Sequence, residues 1–165
     1  MDTELTQTDL EALAARVADK LLARQQVLAI AESCTGGWVG QCLTAIAGSS
    51  LWFDRGFVTY SNAAKIELLD VPEFTIKRHG AVSEATARAM VQGALAKSRA
   101  HWALAITGVA GPTGGSAKNP VGTVCFAWAE KDGGCVAETC RFDGDRQAVR
   151  LQSVAHALNG LLQRI

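Results

Sequence analysis

The chain has 165 residues, 48 % hydrophobic and 19 % charged, which suits one globular domain spanning 1–165 with a sizeable core. Lysine plus arginine equals aspartate plus glutamate at 16 each, so no global charge draws the chain to nucleic acid or an anionic membrane. Any anion specificity has to come from a local site.

The N-terminal stretch MDTELTQTDLEALAARVADKLLARQQ is polar and acidic where a signal peptide is basic and then apolar. No apolar run approaches the roughly 20 residues a membrane helix requires, so a cytoplasmic location is the default expectation. Cys34, Cys42, Cys125, Cys135 and Cys140 make no C-x-x-C pair, and His79, His101 and His156 lie far apart. That spacing argues against both a disulfide framework and a structural zinc site. Cys125 reads as a small buried hydrophobe within a strand.

Thr8-Asp9-Leu10-Glu11 fits a capping box and predicts a first helix from Thr8. Leu10, Leu13, Ala14, Val17 and Leu21 follow at helical spacing as its buried stripe. VLAIA (27–31) is an unbroken apolar strand, of the kind covered on both faces in a parallel sheet. Gly36-Gly37 opens a second helix with Val39, Cys42, Leu43 and Ile46 inward, and Gly48-Ser49-Ser50 ends it. GFVTYS (56–61) reads as a short strand, NAAKIELL (62–69) as a short helix, and Pro72 as a loop marker. Ser83 is the expected N-cap of a long helix, EATARAMVQGALAKSR. WALAIT (102–107) is a second apolar strand, which runs into the glycine-rich loop GVAGPTGGSAKNPVG. GTVCFAWAE (122–130) and CVAETCRF (135–142) read as a hairpin. A last helix from about Asp145 to Arg164 buries Val149, Val154, Leu158 and Leu161. The order predicts an α/β fold: a three-layer α/β/α sandwich on a mixed, mostly parallel sheet.

Ligand sites in open α/β sheets gather at the carboxyl ends of strands, and three such ends here carry polar chemistry. The first is Glu32-Ser33-Cys34-Thr35-Gly36-Gly37. On a strand-to-helix turn, Ser33 can stand clear of the sheet, and the N–H groups of Thr35, Gly36 and Gly37 can hold a phosphate or an oxyanion. Ser33 or Thr35 can equally be no more than a helix cap. Cys34 has no histidine nearby in sequence to activate it and reads as packing. Glu32 can orient a lysine or a substrate amide, or pair with a neighbouring base as part of the fold.

The second end is Tyr60-Ser61-Asn62 with Lys65, in Y-S-N-x-x-K. A desolvated lysine can serve a serine nucleophile as base. Lowering its pKa from about 10.4 to about 7 costs roughly 4–5 kcal/mol of differential solvation. Tyr60 can relay the proton, or Lys65 can stay charged and bind an anion. A solvated helix lysine is the plain alternative. The third end is Thr107-Gly108 with Gly111, Gly114 and Gly115, which allow close backbone approach to a phosphate or sugar but match neither a Walker A loop nor G-x-G-x-x-G. Arg146 and Arg150, one turn apart at the start of the last helix, oppose the helix dipole and so hint at a ligand or an acidic partner, although two exposed arginines are also ordinary.

Together, AESCTGG, GSS-x-W-F-x-R-G-F-V-T-Y-S-N-x-x-K, HGAVSE, TGVAGPTGG, PVGTV and FDGDRQAVR resemble the CinA C-terminal domain family of nicotinamide mononucleotide amidohydrolases. The resemblance covers the whole chain. It implies hydrolysis of the carboxamide of nicotinamide mononucleotide to nicotinate mononucleotide and ammonia, in pyridine nucleotide salvage. It also implies an α/β/α sandwich, no metal, no cofactor and a homo-oligomer. The family's nucleophile falls on Ser33, its tyrosine and lysine on Tyr60 and Lys65, its glycine loop on Thr107 to Gly115, and its helix arginine on Arg146. Glu32, Thr35, Gly36, Gly37 and Asn62 complete the expected substrate contacts. Longer family members carry a further N-terminal domain, whose activity is not expected here. A nucleotide-binding regulatory module without turnover, or a serine amidase for non-nucleotide amides, are the competing readings.

Overall fold

The computed structural model describes residues 4–165. Along them run α1 (Gln7–Arg24), β1 (Leu28–Glu32), α2 (Trp38–Thr44), β2 (Phe53–Val58), α3 (Asn62–Leu69) and α4 (Glu73–His79). The second half holds α5 (Glu84–Ala96), β3 (Trp102–Gly108), β4 (Thr123–Glu130), β5 (Cys135–Arg141) and α6 (Arg146–Leu162). The sheet order is β2-β1-β3-β4-β5. β1 pairs in parallel with β2 and β3, whereas β4 runs against both of its neighbours. The result is the expected mixed, mostly parallel sheet.

The central strands alternate large and small apolar residues, and that pattern decides the layers. Leu28, Ile30, Leu104, Ile106, Phe126 and Trp128 project to one side, where α1, α2 and α6 cover them. Ala29, Ala31, Ala103, Ala105, Ala127 and Ala129 project to the other, where small side chains let α5 lie close to the sheet. Full burial of each large side chain contributes about 1.5–3 kcal/mol. Helices therefore flank both faces, giving the three-layer α/β/α sandwich. Among the described residues, no helix is long and apolar enough to cross a membrane.

Three local expectations change. α1 is capped by Thr6 rather than Thr8: the Thr6 side chain accepts the Asp9 N–H, and the Asp9 carboxylate accepts the Thr6 N–H. The earlier start places Gln7 where its side chain accepts from Trp38 Nε1, which ties the first turn to α2. β2 begins at Phe53 rather than Gly56, because its register starts at the Leu28–Phe53 pair. Thr59, Tyr60 and Ser61 lie beyond it and lead into α3. Pro72 precedes a short helix rather than a loop, with Glu73 in the first turn and Lys77, Arg78 and His79 in the last, the charge order a helix dipole favours.

Candidate active site

Ser33 follows β1 directly, and its N–H donates to the Ile106 carbonyl of β3 at 3.0 Å. The chain then turns sharply. Gly36 N–H closes onto the Ser33 carbonyl and Trp38 N–H onto the Thr35 carbonyl. Gly36 at φ 61° and Gly37 at φ 104° occupy left-handed backbone that side chains resist. Neither Ser33 nor Thr35 caps α2. Glu32 does, from inside the protein: Oε1 accepts from Val39 N–H at 2.9 Å and Oε2 from Gly40 N–H at 3.1 Å. Thr35 Oγ1 adds a third bond to Oε1 at 2.7 Å. A negative carboxylate on free N–H groups at a helix start is favourable twice over. The side chains of Glu32 and Thr35, expected as substrate contacts, are thus bonded to each other and to α2. Ser33 Oγ is left free of capping.

Lys65 lies in the second turn of α3, whose start is set by Ser61 accepting from Ala64 N–H. Its side chain runs inward and is 1 % exposed. Nζ meets Ser33 Oγ at 3.0 Å, the Thr59 carbonyl at 2.8 Å and the Tyr60 carbonyl at 3.4 Å. Among the described residues no carboxylate bonds to it. Burial therefore pulls its pKa below the ordinary lysine value. Cys34, next to the serine, moves the opposite way: burial pushes its thiol up to about 12. A thiol in that state is a poor nucleophile.

Ser33 opens into a cavity of about 270 Å³ whose wall includes Tyr60, Val82, Gly108, Gly111 and Gly114, with Arg146 as the one charged residue on it among those described. Arg146 Nη1 donates to the Gly111 carbonyl at 2.8 Å, and Nη2 to the Tyr60 hydroxyl at 3.2 Å. One guanidinium thus joins two of the three polar strand ends. Gly111, at φ 83°, also packs where a Cβ would run into Val121. A second cavity of about 600 Å³ begins on the far side of Arg146, with Pro112, Gln147 and Arg150 on its wall.

The structure does not bring every expected residue to the cavity. Tyr60 does line it, but at the rim: it is 62 % exposed, and it reaches Lys65 through its carbonyl, while its phenol is bonded to Arg146. Asn62 is an exposed first residue of α3, and Gly115 also lies outside the lining. Thr107 is buried and donates from Oγ1 to the Ala81 carbonyl, holding the HGAV segment that carries Val82 against β3.

Arg150 has a larger part than its sequence position indicated. Its Nε donates to the Cys34 carbonyl at 3.1 Å and its Nη2 to the Thr35 carbonyl at 3.2 Å, and its guanidinium lies over the Trp38 ring. It clamps the turn from α6. The pairing of two arginines in the wrong place for the helix dipole was the available signal.

The fold and this site define an α/β/α sandwich protein with a serine at the carboxyl end of an inner parallel strand and a buried lysine beside it. The profile of the CinA C-terminal domain matches residues 10–165, and the chain belongs to that family. It is 50 % identical over 160 residues to the nicotinamide-nucleotide amidohydrolase PncC of Escherichia coli, covering 97 % of both chains. It is 51 % identical over 152 residues to the Pseudomonas putida protein of the same name, covering 92 % of this chain and 94 % of that one. The crystal structure of the competence/damage inducible protein CihA from Agrobacterium tumefaciens superposes with a TM-score of 0.92 at 43 % identity, covering 99 % and 98 % of the two chains.

Proposed function

We propose that the chain hydrolyses the carboxamide of nicotinamide mononucleotide to nicotinate mononucleotide and ammonia, in pyridine nucleotide salvage. Ser33 is the nucleophile and Lys65 the proton carrier. The observation that carries this reading is the 3.0 Å contact between Lys65 Nζ and Ser33 Oγ in a buried setting without a carboxylate. A neutral amine there has two N–H groups for the carbonyls of Thr59 and Tyr60 and a lone pair for the Ser33 hydroxyl. That is the arrangement a general base requires.

The reaction runs in two halves. Ser33 Oγ attacks the amide carbon as Lys65 takes the hydroxyl proton. The oxyanion is met by backbone N–H groups of the turn. Gly36 N–H is already committed to the Ser33 carbonyl, which leaves those of Cys34, Thr35 and Gly37 as donors. Collapse of the tetrahedral species breaks the C–N bond, and Lys65 returns the proton to the departing ammonia. Water, deprotonated by the same lysine, then cleaves the acyl-serine and frees the carboxylate and the serine.

Among the described residues Arg146 carries the lone charge on the cavity wall and no acid lines it, which suits a phosphorylated substrate. The names of the relatives, nicotinamide-nucleotide amidohydrolases at 50 % and 51 % identity, support the same substrate. Ammonia release from nicotinamide mononucleotide and from its dephosphorylated riboside tests the reading. We expect turnover of the nucleotide and a much lower kcat/KM for the riboside. Binding of the nucleotide without ammonia release would favour a regulatory module. Equal kcat/KM for both would favour a general amidase.

A further inference from the structure

We propose that Glu138, Cys140 and His156 form a site for a divalent transition-metal ion, Zn²⁺ foremost, separate from the Ser33 cavity. One ligand atom from each lies within 4.8 Å of the other two. Glu138 and Cys140 alternate on β5 and so share the face that α6 covers, and His156 meets them from α6. The set offers one thiolate, one imidazole and one carboxylate, a mixture that favours Zn²⁺ over Mg²⁺ or Ca²⁺.

One of the three pairs already stands at ligand spacing. Cys140 Sγ and His156 Nε2 are 3.4 Å apart. Tetrahedral ligation with ordinary Zn–S and Zn–N lengths places such atoms about 3.5 Å apart. His156 Nε2 is hydrogen-bonded to Glu138 Oε1, and this pair has to open to admit the ion. The imidazole is already oriented, since its ring packs against Phe126 at 4.5 Å and against Phe142 and Trp128 at about 6 Å. All three ligands keep partial exposure, which gives the ion an entry path and leaves the fourth position to water.

Binding replaces the Cys140 thiol proton with the cation and leaves the imidazole proton on Nδ1, so a proton is released. The thiolate and carboxylate then balance its charge. The ion would tie edge strand β5 to α6, whose first turn carries Arg146. The cluster escapes motif searches because its cysteine and histidine are sixteen positions apart on different elements.

The test is titration of reduced protein with CoCl₂ under anaerobic conditions, followed by ZnCl₂. We expect one equivalent of Co²⁺ to bind with a thiolate-to-metal charge-transfer band, which Zn²⁺ bleaches. Cys140→Ser should lose the band, and His156→Gln should weaken binding about tenfold or more. Absence of the band in the unmodified protein, or its persistence in Cys140→Ser, would overturn the proposal. If either variant fails to fold, alkylation of the unmodified protein decides. Zn²⁺ should slow labelling of Cys140, and equal labelling with and without Zn²⁺ would refute the site.

Discussion

Lys65 Nζ lies 3.0 Å from Ser33 Oγ, with its side chain shut away from water and its other contacts made to carbonyl oxygens. Charge on the amine is therefore disfavoured, and the amine's pKa falls below the ordinary value of 10.5. Two consequences are measurable. Only the neutral amine can take the serine proton, so kcat/KM should climb with pH through an apparent pKa below 10.5. A profile lacking that limb would remove Lys65 from the proton path.

The same depression affects stability. The folded state resists protonating Lys65 while the unfolded chain accepts the proton freely, so lower pH favours the unfolded chain. Relative to Lys65→Met, the unmodified protein should gain stability as pH rises from the depressed folded value towards 10.5. Urea denaturation of both proteins across that range measures the difference. A gap that stays constant with pH would show that the lysine has its usual pKa.

Cys34 lines the cavity beside the serine, but its thiol is pushed up to about 12 by burial. Cys34→Ala should keep ammonia release within about threefold, and slow alkylation should match its low thiolate fraction. Loss of turnover in Cys34→Ala with the fold intact would transfer the nucleophile from oxygen to sulfur.

Tyr60 and Arg146 act as a pair at the rim, because the phenol is bonded to the guanidinium and not to Lys65. Arg146→Met should raise KM for the nucleotide about tenfold or more while changing the riboside little, as expected for a lost charge-assisted phosphate contact. Tyr60→Phe should leave the pH limb set by Lys65 in place. A shifted limb in Tyr60→Phe would give the phenol the relay role that the sequence alone left open.

Glu32 accepts three hydrogen bonds from the turn and from α2. In Glu32→Gln the amide nitrogen faces the backbone N–H of Val39 in one orientation and of Gly40 in the other, so a donor meets a donor. The expected loss is about 1–3 kcal/mol of stability in denaturant unfolding. Activity should fall too, since the turn that aims Ser33 loosens. Unchanged stability would remove Glu32 as the anchor of this turn.

Much of the fold was legible because apolar runs at strand length alternate with helical stripes. VLAIA and WALAIT fall on the two parallel central strands, and Ser61, Ser83 and Asp145 stand at helix starts where polar caps belong. α4 was hidden by Pro72, since proline marks a loop and a helix start equally well. Glu32 could not be assigned, because it stands seven positions before Val39 and only the folded turn closes that gap. Arg150 was visible as a cation opposing a dipole, but its partners, the carbonyls of Cys34 and Thr35, lie 116 and 115 positions away. Side-chain types were readable, whereas which group bonded to which depended on the sheet bringing distant strand ends together.

The central claim is tested most directly by ammonia release from nicotinamide mononucleotide, measured on unmodified protein, Ser33→Ala and Lys65→Met. The account predicts steady turnover in the first and losses of about a thousandfold or more in both variants, as befits residues acting as one unit. A folded Ser33→Ala protein that still releases ammonia at the original rate would contradict it.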